Sequence, residues 1–323
     1  MSGEIESGMN ILQQSAFDID LNIDPGWCNW FVGWVDAEGY FFGGREKKNS
    51  KHRGINCGLR VSVRDDDAKL VYSVRDMLRC GRISFPKVYN GSNPQISWCC
   101  NDFGSCRNVL IPIFDAYPLH SKKMRDYEIW RALIIAVSDG HHLNNNRGYV
   151  LQLGAELKNI KKYKNPNTGI ISMNNSEPDD NWRAWFSGWI DGEGYFQIQP
   201  SKRDRGIGCA LRVHVRDDDV SLIHDIMETL HCGGISHRTG SASGKPSIEW
   251  HCYNIDSCRS VLIPIFDKYP LRSKKARDYK IWRDAVIEIS DKHYKHGERK
   301  HVWDLYKQLL STRKYIPQNI INA

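Results

Sequence analysis

Two glutamates in this chain are placed for the same chemistry. Glu38 closes the stretch Phe31-Val-Gly-Trp-Val-Asp-Ala-Glu-Gly39, and Glu193 closes Phe186-Ser-Gly-Trp-Ile-Asp-Gly-Glu-Gly194. Trp27, Trp30, Phe31, Trp34 and Val35 recur at helical spacing, and Asp24-Pro25 offers a start signal. Gly33 and Ala37 stand one helical turn apart, as do Gly188 and Gly192, so each helix carries a small-residue strip that lets two backbones approach. Paired through those strips, the helices bring Glu38 and Glu193 together at their C-terminal ends. The helix dipole disfavours an anion there by roughly 0.3–1 kcal/mol, and like charges repel further. A divalent cation reverses both penalties. Carboxylates with nearby carbonyls form an oxygen-only donor set that suits Mg²⁺, with Mn²⁺ or Ca²⁺ able to stand in its place. Such a centre can activate water and stabilise the leaving oxygen of a phosphodiester. The alternative is a pair of solvated helix ends capped by Gly39 and Gly194. One such string alone fits that alternative, whereas its recurrence at the same place in a repeat favours the chemical reading.

The recurrence is general. Trp27–Phe41 returns as Trp182–Phe196, Leu59–Asp67 as Leu211–Asp219, Cys106–Phe114 as Cys258–Phe266, and Ser121–Tyr127 as Ser273–Tyr279. A period of about 150 residues is too long for a solenoid and indicates a duplicated domain with a pseudo-two-fold axis. A small slip between the copies falls in Glu46–Gly54, read as a hairpin loop. Within the first copy, Gly39–Glu46 and Ile55–Arg64 read as strands and Asp65–Leu78 as a helix. Ile83–Tyr89 and Gln95–Cys100 form a second hairpin around Asn90-Gly91. Ser105–Phe114, Lys122–Val137 and Tyr149–Tyr163 read as helices. The order αββαββα, followed by further helix, predicts an α+β unit with an antiparallel sheet. The expected organisation is an acidic extension over 1–26, a first repeat over 27–164, a linker over 165–181, a second repeat over 182–316 and a tail over 317–323.

The two nonapeptides resemble the paired signature motifs of the LAGLIDADG homing endonucleases. The resemblance runs through nearly all of Trp27–Tyr315 and includes Phe114-Asp-Ala-Tyr-Pro-Leu119 and Phe266-Asp-Lys-Tyr-Pro-Leu271 before each Ser-Lys-Lys. It implies motif helices at the central interface and saddle-shaped sheets, with helices packed on one face, straddling double-stranded DNA in the major groove. It implies that Glu38 and Glu193 bind the metal, with the carbonyls of Ala37 and Gly192 as further ligands. This chain has Glu where the family name has Asp. Asp36 and Asp191 match the motif's other acid and are expected to be structural hydrogen-bonding residues. Lys123 and Lys275 match the basic residue that the family brings near its centre, where a cation can polarise water or offset phosphate charge. Their neighbours Lys122 and Lys274 leave that choice open, because both pairs could be phosphate contacts. The implied activity is site-specific double-strand DNA cleavage by a monomer, across the minor groove, leaving short 3′ overhangs. The alternatives are a maturase for a host intron RNA and a catalytically silent DNA-binding regulator.

Alternation along the strands sorts their faces. Phe41, Ile198, Leu59, Val61, Leu211 and Val213 are expected inward. Phe42, Gly44, Glu46, Arg60, Ser62 and Arg64 are expected outward in the first copy, with Gln95 and Ser97 from its second hairpin. The second copy offers Gln197, Gln199, Ser201, Arg212, His214 and Arg216, then Ser247, Glu249 and His251. Arg and Gln suit base edges, while Lys202, Arg203 and Arg205 suit phosphates. An ordinary solvated polar face is the alternative at any one position. The copies differ most on this face, which implies a pseudo-palindromic site of about 20 base pairs.

Composition agrees with a polyanion partner without demanding one. The net charge is +7, and residues 1–26 contain no Lys or Arg, so all 45 basic residues lie beyond them. No apolar run approaches the roughly 18–20 residues of a membrane span. The opening residues lack the pattern of a secretory signal. Ten cysteines without CxxC spacing read as core thiols, and the expected setting is a reducing intracellular compartment.

Overall fold

The computed structural model describes residues 23–45, 54–86, 93–143, 146–162, 177–200, 206–239, 246–291 and 299–315. The first repeat runs α1 (Pro25–Glu38), β1 (Gly39–Arg45), β2 (Ile55–Arg64), α2 (Ala68–Leu78), β3 (Arg82–Ser84), β4 (Gln95–Cys100), α3 (Ile111–Ala116), α4 (Lys123–Ser138) and α5 (Arg147–Ile160). The second repeats that order: α6 (Asp180–Glu193), β5 (Gly194–Pro200), β6 (Ile207–Arg216), α7 (Val220–Leu230), β7 (Gly234–Arg238), β8 (Ser247–Cys252), α8 (Ile263–Lys268), α9 (Lys275–Ser290) and α10 (Arg299–Thr312). Each repeat holds one four-stranded antiparallel sheet, in the orders β1-β2-β4-β3 and β5-β6-β8-β7. The fold is therefore the duplicated α+β architecture that the sequence pattern implies.

Local differences have local causes. The expected helix at Asp65 begins instead as a tight turn over Asp65–Asp67, whose Asp66 and Asp67 are drawn into ion pairs described below. Before Pro112 and Pro264 the helices widen into π-helical turns, Cys106–Leu110 and Cys258–Leu262, since proline supplies no backbone donor. Gly39 and Gly194 are not left-handed caps: their backbones are extended (φ −73° at both), and the chain runs straight from helix into strand. A Cβ at Gly39 would lie 2.5 Å from the Val35 side chain, which explains the glycine.

Helices α1 and α6 start on aspartate caps. Asp24 accepts from the N–H of Trp27 at 2.8 Å, and Asp179 from that of Trp182 at 2.7 Å. Trp27 through Asp36 are all buried, as a helix enclosed on every side requires. The two helices pack directly against each other. A Cβ on Gly33 would sit 2.0 Å from the carbonyl oxygen of Trp185, and one on Gly188 would sit 1.9 Å from that of Trp30. Only glycine permits so close a backbone approach. Further along, Gly192 leaves room for the methyl of Ala37. Around this axis the aromatic core is written twice: Phe41 meets Trp130 at 5.2 Å between ring centres, and Phe196 meets Trp282 at 5.2 Å. All ten cysteines are free thiols, and all but Cys80 are buried. Among the described residues, no helix is long and apolar enough to cross a membrane.

Candidate active site and nucleic-acid interface

The ends of α1 and α6 open into two cavities related by the repeat. One, of about 330 Å³, is lined by Glu38, Gly192, Lys275, Arg64, Asp67 and Gln95, among others. Its counterpart, of about 340 Å³, is lined by Glu193, Ala37, Lys123, Arg216, Asp219 and His214. Each cavity thus combines the glutamate of one repeat with the lysine and the pre-glutamate backbone of the other. Neither repeat supplies a whole centre.

The charges in this region act on each other. Glu193 is pushed up to about 7, chiefly by burial and then by the nearby charge of Glu38, with Lys123 and Lys275 acting against the shift. Burial depresses Lys123 and Lys275 below the usual lysine range, while Asp36 and Asp191 respectively, and both glutamates, pull them back up. Lys123 donates to the carbonyl oxygens of Ala37 at 2.5 Å and Val35 at 3.2 Å. Lys275 donates to those of Gly192 and, at 3.2 Å, Ile190. Both ammonium groups therefore cap helix C-termini, where the dipole favours a cation. The carbonyls expected to complete a metal site are already hydrogen-bonded to lysine, and each retains a second lone pair.

The donor set fits a divalent cation of the Mg²⁺ type. Burial and the like charge of Glu38 raise Glu193 despite Lys123 and Lys275, a penalty that a cation would offset, and the glutamate carboxylates with the Ala37 and Gly192 carbonyls are hard oxygen donors. Among the described residues no cluster of three or more His, Cys, Asp or Glu forms a closed cage. Mg²⁺ is commonly held by one or two carboxylates plus water and substrate phosphates.

Asp36 and Asp191 are buried hubs that lock this arrangement. Asp36 accepts from the N–H groups of His120 (2.7 Å) and Ser121 (3.1 Å), from the Ser121 hydroxyl, and from Trp185 Nε1 of the opposite repeat at 3.1 Å. Asp191 accepts from the N–H groups of Arg272 (2.7 Å) and Ser273 (3.0 Å), from the Ser273 hydroxyl, and from Trp30 Nε1. These bonds set the turn before α4 and α9 and so aim Lys123 and Lys275.

The lysine pairs divide. Lys122 leaves its own repeat to reach Asp218 at 2.6 Å and Asp219 at 2.5 Å, and Lys274 reaches Asp66 at 2.5 Å and Asp67 at 3.1 Å. The first lysine of each pair clamps the repeats together, and the second faces the glutamates. The duplicated Asp-Asp-Asp beside the duplicated Lys-Lys carried this signal in the sequence, as opposite charges repeated in step.

On the sheets, Phe41, Ile198, Leu59, Val61, Leu211 and Val213 are buried as alternation requires. The outer faces are less uniform. Arg60 is exposed beside Phe42, with its guanidinium 5.5 Å from that ring. Gln95, Gln197, Gln199, His214, Ser247 and His251 retain exposure, and His214 hydrogen-bonds Ser247 at 2.7 Å. Gly44 lies at φ 152°, so its identity serves the backbone. Three groups of outer-face residues depart from the expectation of free readers. Arg64 and Arg216 are tied to Asp66 and Asp218, which also bind the clamp lysines, because the cavities lie at this end of β2 and β6. Ser97 is buried and spends its hydroxyl on Ser62 at 2.7 Å. Glu249 is buried beneath Arg212 and Arg238. Glu46, Ser201, Lys202, Arg203 and Arg205 fall outside the described residues. Alternation did not single out Tyr40 and Tyr195, which are exposed beside Lys161 and Arg313 at 4.0 and 4.1 Å from their ring centres.

Comparison with known proteins agrees with this architecture. A family model described as LAGLIDADG endonuclease matches residues 31–134 and 186–286. The "Probable intron-encoded endonuclease 3" of Neurospora crassa is 24% identical over 287 residues, covering 83% of this chain and 51% of that protein. The chain thus spans about half the length of that relative. Among solved structures, the LAGLIDADG homing endonuclease I-GzeII in complex with its DNA target superposes with a TM-score of 0.70 at 22% identity, over 91% of this chain and 100% of that one. I-SmaMI bound to uncleaved DNA in the presence of calcium ions gives 0.70 at 22% identity, over 88% and 98%.

Proposed function

The chain belongs to the LAGLIDADG endonuclease family, and on that premise we propose that it is a site-specific endonuclease cutting both strands of double-stranded DNA. Its cofactor is a divalent cation, Mg²⁺ in the first instance, held by Glu38 and Glu193 with oxygens of Ala37 and Gly192. The observation that carries this reading is the crossing of the two cavities, each built from the glutamate of one repeat and the lysine of the other. One chain therefore brings two equivalent centres side by side, as cutting two strands requires, and acts as a monomer.

When bound, the cation supplies a Lewis acid that acidifies water and offsets charge on a phosphate. The chain's own residues do the rest. Glu38 and Glu193 fix the position of that charge. Lys123 and Lys275, desolvated and anchored on helix carbonyls, hold a proton-rich group beside the scissile phosphates, where positive charge stabilises the developing oxyanion. Asp36 and Asp191 keep both lysines in place. The outer sheet faces of residues 27–164 and 182–316 each read one half-site in the major groove, with phosphate contacts from Lys202, Arg203 and Arg205. Cleavage across the minor groove leaves short 3′ overhangs.

The test is a cleavage selection from a randomised duplex library with Mg²⁺. Recovery of one long, pseudo-palindromic site cut on both strands supports the proposal. An uncut library refutes it and turns attention to structured intron RNA.

A further inference from the structure

The two outer sheet faces carry the same arginine among different neighbours. Arg60 on β2 and Arg212 on β6 hold matching positions, opposite Tyr40 and Tyr195 on the adjoining strands. The inner strand beside them differs. Ser62 faces Ser97 in the first repeat, where His214 faces Glu249 in the second.

Glu249 is 4% exposed, so it does not itself reach a bound molecule. Its Oε1 accepts from Arg212 Nε at 3.1 Å and Nη2 at 2.7 Å, and its Oε2 accepts from Arg212 Nη2 at 2.9 Å and Arg238 Nη2 at 3.2 Å. Gln197 Oε1 accepts from Arg212 Nη1 at 3.2 Å. These bonds use Nε and one hydrogen on each of Nη2 and Nη1, so of the five donors at most one on each terminal nitrogen is left for a further acceptor. The Arg212 side chain keeps 24% of its surface exposed. Two parallel donors on a fixed plane match O6 and N7 of guanine, and fixing them in advance removes the ordering cost that a mobile arginine meets on binding. The first repeat lacks this support, since Ser97 is neutral and Arg60 leans on the Phe42 ring.

We infer that Arg212 is the guanine-reading residue of the second half-site and that Glu249 is its positioning residue, so that base preference at this point is strong in one half-site and weak at the matching point of the other. This rests on the DNA-binding reading above and assigns one base to it. A plain structural ion pair would affect stability and leave base preference unmoved.

The experiment is a binding selection of the full chain on a randomised duplex library in Ca²⁺, with wild type, Arg212→Lys, Glu249→Gln and Arg60→Lys. Wild type is expected to fix one G·C pair in one half-site by roughly 5- to 100-fold over other pairs. Arg212→Lys keeps the charge without the planar fork, and should reduce that preference to within about twofold while leaving other positions unchanged. Glu249→Gln should do the same, whereas Arg60→Lys should leave this pair fixed. If Glu249→Gln does not fold, Arg212→Lys decides the matter, because the arginine side chain is partly exposed, lysine keeps a positive charge beside Glu249, and Arg238 still reaches that carboxylate. A selected site whose preference survives Arg212→Lys, or falls equally for all sequences, overturns this assignment alone. Selection of no site overturns the DNA reading and this assignment with it.

Discussion

The indole Nε1 of Trp30 lies 2.8 Å from Oδ2 of Asp191, a buried hydrogen bond that passes from the first repeat to the second. Trp185 makes the reciprocal bond to Asp36. The aspartates that shape each lysine turn are thus also the means by which each repeat senses the other. Asp191→Ala strands four donors in a buried interface, and each orphaned donor costs about 1–3 kcal/mol. The expected outcome is a folded-state loss of several kcal/mol in denaturant melts. Trp30→Phe removes one donor and should cost far less.

Close backbone contact makes a second prediction. Gly33→Ala and Gly188→Ala each place a methyl about 2 Å from a fixed carbonyl oxygen, and overpacking of this kind costs roughly 1–3 kcal/mol or more. Gly208→Ala meets nothing within 4 Å and serves as the control. Thermal melts should show a clear drop in Tm for the first two and little change for the third.

The clamps predict a pH dependence. Burial alone would raise Asp66 and Asp218, but hydrogen bonds from Arg64 and Lys274, and from Arg216 and Lys122, hold both below the usual carboxylate value of 3.8. A folded-state pKa below the unfolded one stabilises the fold above pH 3.8, and that stability is lost as pH falls through the folded value. Lys274→Met removes one partner. Its stability deficit against wild type should be constant from pH 5 to 7 and shrink as pH drops below about 3.8. A deficit that persists unchanged in acid would show that the clamp's charge is not its contribution.

Neighbouring lysines should separate by phenotype. Lys123→Met removes a charge aimed at the centre and is expected to slow cleavage by roughly 10²–10³-fold, the scale of losing one stabilising donor, with binding preserved. Lys122→Met should lower Tm with a smaller loss of rate per folded molecule. Quantitative nicking assays alongside melts distinguish them.

Much of this was legible because the chain is written twice. One Asp-x-Glu-Gly string is uninformative, but two at the same place in a repeat locate an interface, and the glycine strips say how the helices meet there. Spacing could not separate Lys122 from Lys123, since adjacent residues at a helix start diverge only once their partners in the other repeat are in place. Nor could alternation reveal that Ser97 and Glu249 are covered. It assigns a residue to a face of a sheet, while exposure depends on what lies across it: a serine in one case, two arginines in the other. The Asp-Asp-Asp turns show a related limit, because acids that open a helix and acids that pair with a lysine of the other repeat look alike in sequence.

The central claim is that Glu38 and Glu193 serve two adjoining metal-dependent centres, both of which are needed to cut both strands. The most direct measurement is cleavage of a supercoiled plasmid carrying the selected site, in Mg²⁺, by wild type, Glu38→Gln and Glu193→Gln, with binding measured in parallel. Linear product from wild type, and none from either variant despite retained binding, is the expected result. Full double-strand cutting by Glu193→Gln would contradict it.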